Sequence, residues 1–175
     1  MSSIDLVILG IVLEQPQSAY DIQKDVDYHH FSMWTKISVP SIYRKVIQLN
    51  KKGYLQSDIV KGERFADKTV YSITEKGKAY FEQLMADYAN QPVPLLFDFN
   101  VVISNLNKME QSKALELVTQ LRNSIISSQQ INKEYANEYY AHLPLVGKTI
   151  FDQQQLLYKA LLEWIDAFEK QFKED

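Results

Sequence analysis

The sequence predicts a mainly α protein: a domain of three to four helices carrying a β-hairpin, followed by a second, all-helical domain. Three observations predict it. Apolar residues recur at helical spacing through most of the chain. Two short stretches, 54–60 imperfectly and 68–73 well, instead alternate with a strand-like period on either side of a polar loop. Beyond Asn90-Gln91-Pro92-Val93-Pro94, where two prolines break any helix, neither Gly nor Pro appears from Leu95 to Leu143. The expected division is therefore a first domain over 1–90, a Pro-containing linker over 91–95 and a helical domain over 96–175.

The elements follow in order. Ile4 to Leu13 is a nearly continuous apolar run, which reads as a buried first helix. Ser18 is placed to cap a second helix, from Ala19 to about Phe31, that turns Ile22 and Val26 inward. Ser38-Val39-Pro40 reads as the start of a third. In that helix Ile42, Val46 and Leu49 form one narrow apolar stripe, opposite Ser41, Arg44, Lys45, Gln48, Lys51 and Lys52. Gly53 ends it, because Gly adopts the left-handed conformation readily. The hairpin comes next, Tyr54 to Val60 and Lys68 to Ile73 around a polar loop. Thr74 caps a fourth helix with Tyr80, Phe81, Leu84, Met85 and Tyr88 on or near one side. The second domain reads as helices over Leu96–Asn107, Glu110 to about Ala141 and about Lys148 to Phe172, with a turn over His142–Gly147.

Charge is distributed unevenly along this plan. Lys36 to Lys78 holds ten Lys/Arg against four Asp/Glu, whereas residues 1–35 and 79–175 are both net acidic in a chain of formal charge −3. Positive charge gathered beside a helix of groove-entering size is the electrostatic footprint of a duplex-binding surface. A helix packed on a hairpin with a cationic loop is the winged helix-turn-helix arrangement, in which the helix reads the major groove and the wing touches phosphate or the adjacent minor groove. Arg and Lys donate to guanine, Gln pairs with adenine and Ser serves either. The expected base readers are therefore Ser41, Arg44, Lys45 and Gln48. Tyr20, Lys36, Ser38, Lys51 and Lys52 are expected to hold phosphates, and Arg64 and Lys68 to be the wing contacts.

Residues 6–81 resemble the PadR family of bacterial transcriptional regulators. The matching pieces are Leu6-Val7-Ile8-Leu9-Gly10, Pro16 with Ser18-Ala19-Tyr20-Asp21-Ile22, and a lone Trp34. Ser41-Ile42-Tyr43, Leu49 through Lys52-Gly53-Tyr54-Leu55, and Val70-Tyr71-Ser72-Ile73-Thr74-Glu75-Lys76-Gly77 complete the order. This sequence departs from the family pattern at Ala19, where Gly is usual, and at Arg44, where Pro commonly follows Ile-Tyr. The paired basic residues of the family's wing are reduced here to Arg64 and Lys68. The resemblance implies a regulator of transcription whose longer members carry a helical C-terminal domain that embraces the partner subunit.

The last helix supports the same expectation from its own spacing. Phe151, Leu157, Tyr158, Leu161, Trp164, Ile165 and Phe168 form an apolar stripe wider than one partner helix covers, so they are expected to line a homodimer interface. The plainer reading is a hairpin packed on itself within one chain. A dimer suits an operator reader, because one half-site gives too little specificity. The two Trp, eleven Tyr and eight Phe raise a further partner, a small aromatic effector stacked in a cleft. The plainer reading, that these rings are core and interface, is the stronger of the two. Some members of the resembled family respond to phenolic acids or flat drugs.

Other classes are disfavoured. The five glycines are scattered at turns and helix ends rather than gathered in a phosphate loop, and His29, His30 and His142 make no ligand set, so no catalytic residue, metal or cofactor is expected. With no Cys, disulfide, zinc-thiolate and thiol-redox chemistry drop out together, which fits a cytoplasmic protein. No run of about 18 apolar residues suggests a membrane span, and the start lacks the positive region of a secretory signal. The expectation is a homodimeric, sequence-specific repressor of double-stranded DNA. The alternative is a winged-helix protein–protein interaction module, told apart by salt-resistant binding to a protein partner without duplex affinity.

Overall fold

The computed structural model describes residues 2–37, 39–61 and 67–174. The helices are α1 (Ser3–Glu14), α2 (Ala19–Tyr28), α3 (Ile42–Lys51), α4 (Glu75–Ala89), α5 (Asn100–Ile103), α6 (Gln111–Tyr139) and α7 (Leu145–Glu174). The strands are β1 (Leu55–Val60) and β2 (Lys68–Ile73), and single 3-10 turns lie at Phe31–Met33, Val39–Ser41, Leu106–Lys108 and Tyr140–His142. The chain divides into two compact units, Met1–Val93 and Pro94–Asp175. Among the described residues no helix is long and apolar enough to cross a membrane.

In the first unit α1 is the central element. It is apolar almost all round, the pattern of a helix buried on several sides, and it packs against α2, α3, α4 and β2. Its Ile8, Leu9 and Val12 meet Ile22 and Val26 of α2 and Ile42, Val46 and Leu49 of α3, all fully buried or nearly so. Ser18 caps α2 by accepting from the Asp21 amide at 3.2 Å. That helix stops at Tyr28, three residues short of the expected end, because His30 is left-handed (φ 48°) and the chain tightens into a 3-10 turn. The start of α3 also differs. Val39–Ser41 is a 3-10 turn, and regular helix begins at Ile42. Ser38, expected as its start and as a phosphate contact, lies outside the described residues.

The exit from α3 is built more firmly. Gly53 is left-handed (φ 75°), its amide donates to the Asn50 carbonyl at 2.9 Å and the Tyr54 amide to the Leu49 carbonyl at 3.0 Å. Those two bonds are the Schellman arrangement. Thr74 then ties α4 onto this corner. Its hydroxyl donates to the Gly53 carbonyl at 2.7 Å and accepts from the Gly77 amide at 3.0 Å. A Cβ on Gly77 would fall 2.0 Å from the Tyr54 carbonyl oxygen, so only Gly allows α4 to approach this closely.

β1 and β2 pair antiparallel from Leu55↔Ile73 to Val60↔Lys68. Among the described residues the base of the hairpin touches the core, through Leu55, Tyr71 and Ile73, and Ile59 stands 72% exposed. Gln17, in the loop between α1 and α2, bridges to Tyr71 through both backbone groups at 3.0 and 2.8 Å, which gives β2 a second neighbour.

The second unit is a hairpin of two long helices. α6 and α7 run antiparallel, with Val118 and Ile125 of α6 packed against Ile165 of α7. The helix expected over Leu96–Asn107 shrinks to the four residues of α5 and a 3-10 turn. Asn105 Nδ2 and Ser104 Oγ both donate to the Val101 carbonyl, competing with the backbone for its acceptor. α7 begins earlier than expected, at Leu145 rather than about Lys148. The Pro144 carbonyl already accepts from Gly147 and Lys148, so Pro precedes the helix and Gly is accommodated in its first turn.

Candidate nucleic-acid interface

α3 presents the side chains that could meet a duplex. Its inner face is sealed by Ile42, Val46 and Leu49, and on its outer face Arg44, Gln48, Lys51 and Lys52 are exposed while Ser41 is half-buried. Arg44 and Lys51 are seven residues apart and Gln48 lies between them at helical spacing, so the three share a face. Lys36, Ser41, Arg44 and Gln48 line a concavity with Ser2, Ser3 and Ile4 at the start of α1. Lys36 is exposed. Tyr20 is 60% exposed, with the Lys24 amine 4.7 Å from its ring centre. Arg64 lies outside the described residues.

Two lysines expected at the duplex are engaged elsewhere. Lys45 Nζ sits 3.0 Å from Asp5 Oδ1, and the Asp5 side chain is 4% exposed. Lys45 is three residues after Ile42 and four before Leu49, which puts it at the edge of the buried stripe rather than on the outer face. Lys68, at the loop end of the hairpin, pairs with Asp21 at the start of α2. The same Asp21 accepts from the Ser18 hydroxyl. The bond from Lys68 is the main reason the Asp21 carboxyl titrates below its usual value, with the Ser18 hydroxyl adding to it against a partial burial penalty.

The expected dimer residues separate into two groups. Ile165 is fully buried between α6 and α7 of its own chain, and Phe151 is buried and stacked on Tyr135, ring centres 5.4 Å apart. Tyr158, Leu161 and Phe168 also pack on the core of that hairpin. These five serve the intrachain helix pair, the plainer of the two readings of the stripe. Leu157 and Trp164 remain exposed at 41% and 37%, with Leu156 beside them at 68%. Trp164 lies near Phe99 and Phe168, at 5.8 and 6.3 Å between ring centres.

Sequence reasoning overlooked three residues at the α3 surface. Asp5 falls three and four residues before Ile8 and Leu9, a core-facing position, and that spacing could have marked it as a buried acid. Ser2, which donates to Asp5 Oδ1 at 2.9 Å, is the N-cap of α1 three residues before that acid, and the Ser-x-x-Asp spacing ahead of an apolar run is a local signal that could have found the pair. Tyr43, 55% exposed beside Arg44, interrupts an otherwise polar surface, and its exposure marks it as a candidate contact.

Residues 8–83 match the model of the Transcriptional regulator PadR-like family. None of the curated proteins matches the sequence. Among solved structures, Bacillus subtilis PadR bound to operator DNA superposes with a TM-score of 0.77 over 98% of each chain at 16% identity. The same protein solved with p-coumaric acid also gives 0.77, at 16% identity over 98% of this chain and 96% of that one. A PadR-like regulator from Bacillus cereus gives 0.70 at 20% identity, and the virulence activator AphA of Vibrio cholerae 0.69 at 17%, each over 98% of both chains. At these identities the likeness is one of fold, and it extends over both units.

Proposed function

We propose, from the match of residues 8–83 to the PadR-like family model, that the protein is a DNA-binding transcriptional regulator that reads its operator with α3. The observation that carries this reading is the outer face of α3. Arg44 and Gln48, the two side chains able to make bidentate contacts to guanine and adenine, are exposed on a helix whose opposite face is fixed in the core. Lys36, Lys51 and Lys52 supply sequence-independent attraction to phosphate around them.

The finer reading is a cytoplasmic homodimer on an inverted repeat, with the exposed Leu156, Leu157 and Trp164 of α7 part of the surface between subunits. Leu157 and Trp164 are seven residues apart, hence on one line along the helix. Repression is the simpler action, since occupying an operator suffices for it, whereas activation needs a further contact with the transcription machinery. A flat phenolic effector that loosens the complex fits the aromatic content of the chain, and the structure of the Bacillus subtilis protein with p-coumaric acid supports that class of ligand.

The test is selection from a random duplex library at near-physiological salt. An enriched inverted repeat, with half-sites one helical turn or a multiple apart, is the expected result. Enrichment of a single half-site would retain the reader and remove the symmetric dimer. No enriched sequence, together with salt-resistant capture of a protein partner, would replace the reading with a protein-interaction module.

A further inference from the structure

The Asp5–Lys45 pair lies behind the α3 surface and joins three helices. Asp5, on the first turn of α1, is only 3% exposed. Its Oδ1 meets Lys45 Nζ of α3 at 3.0 Å and accepts from the Ser2 hydroxyl at 2.9 Å. Its Oδ2 receives the Tyr80 hydroxyl of α4 at 3.4 Å. Tyr80 is itself fixed by stacking on Tyr54, ring centres 4.3 Å apart, at the corner where α3 passes into the hairpin. A carboxylate this deeply buried is strongly penalised without its cation, so the tie to Lys45 is one of obligation rather than convenience. Lys45 lies next in sequence to Arg44, and both line the concavity between α1 and α3. The buried Ile42, Val46 and Leu49 seat α3 on the core, and the Lys45 pair adds a polar tie at the edge of that stripe, beside Arg44 and three residues before Gln48.

We infer that Asp5 is a positioning residue for operator recognition: it holds Lys45 against α1, so that Lys45 orients α3 instead of touching the duplex. The inference rests on the proposed reading of DNA by α3 and adds to it a division of labour within the basic surface. Neighbouring cations of the same helix then have different roles, Arg44 as a contact and Lys45 as an anchor.

The experiment compares the wild-type chain with Asp5→Asn, Lys45→Asp and the exchanged pair Asp5→Lys/Lys45→Asp, on the duplex that the wild type selects and on random duplex, with folding followed by circular dichroism. The exchanged pair recreates the attraction while placing an acid on α3, and the Ser2 and Tyr80 hydroxyls can accept from a lysine at position 5. It is expected to bind within a few-fold of wild type and with an unchanged salt slope, whereas Lys45→Asp alone, which faces Asp5 with a like charge, loses binding. The milder Asp5→Asn releases Lys45 toward phosphate. The ratio of cognate to random affinity is expected to fall about tenfold, while the dependence of log K on log salt steepens by about one phosphate contact. A residue that merely stabilised the fold would change neither the ratio nor the slope of the folded fraction. A folded exchanged pair that no longer binds, or Asp5→Asn with wild-type ratio and slope, overturns the assignment. Wild-type protein that selects no duplex overturns the DNA reading itself, and Asp5's role in it, so the two failures are told apart by the wild-type control.

Discussion

At the scale of single residues, the cations of the central basic stretch divide by what each one faces. Arg44 is exposed on the outer face of α3, so Arg44→Ala is expected to cost about 1–3 kcal/mol on the cognate site and to relax specificity at one base pair. Binding assays on cognate and random duplex check this, and equal losses on both would remove Arg44 from the base readers. Lys52, exposed at the end of α3, is expected to act on every sequence alike, with Lys52→Ala lowering the salt slope by about one unit in the same assays. Lys68 faces protein instead, through its pair with Asp21. The Asp21 carboxyl is held below its ordinary value chiefly by that bond. A carboxyl depressed on folding adds stability above its unfolded pKa, near 4, and loses it as pH falls through the lower folded value. The stability difference between wild type and Asp21→Asn, measured by urea unfolding, is therefore expected to be constant from pH 7 to about pH 5 and to shrink in more acid solution. Both partners are substantially exposed, so the difference stays at about 0.2–1 kcal/mol.

At the scale of elements, local chemistry sets most boundaries and packing adjusts the rest. Gly53 ends α3 as its sequence position implies, because the backbone there takes a positive φ that Gly alone adopts freely. Gly77 is different in kind. It sits inside α4 with ordinary helical geometry, and what requires Gly is the Tyr54 carbonyl beside it. Gly77→Ala is expected to destabilise the first unit by about 1–3 kcal/mol or more, despite raising helix propensity, as chemical denaturation would show. A stabilised variant would mean that α4 does not pack on the α3–β1 corner as described. The long helices show the opposite limit. A continuous helical pattern over Leu96–Asn107 broke into a four-residue helix and a 3-10 turn, because Ser104 and Asn105 offered the backbone an alternative partner.

At the scale of the whole molecule, the proposed homodimer depends on which apolar surface of α7 its own chain leaves uncovered. α7 turns Phe151 and Ile165 onto α6 of its own chain, which removes them from any partner, and leaves Leu156, Leu157 and Trp164 outward. For the proposed homodimer, Leu157→Glu is accordingly expected to leave helicity unchanged and to give a monomer in sedimentation experiments. Affinity for an inverted repeat should fall by about 100-fold or more as the two half-sites are no longer bound together, while binding to one half-site is kept. Leu157 is a cleaner probe than Trp164, whose ring also contacts Phe99 and Phe168 within the chain.

The sequence by itself determined the class of fold and the identity of the basic helix. Hydrophobic periodicity, the cap residues Ser18 and Thr74, the Gly53 exit and the local excess of Lys and Arg are all properties of neighbouring residues, and short-range physics fixes them. Tertiary structure alone decided which of those charges are available. Asp5 and Lys45 are forty residues apart and Asp21 and Lys68 forty-seven, and no local pattern announces that either pair will meet. The stripe of α7 had the same ambiguity, since the spacing that packs a helix against its own chain is the spacing that packs it against another. Only the position of α6 resolves which side chains are covered, because burial is a property of the assembled surface and not of the helix that contributes to it.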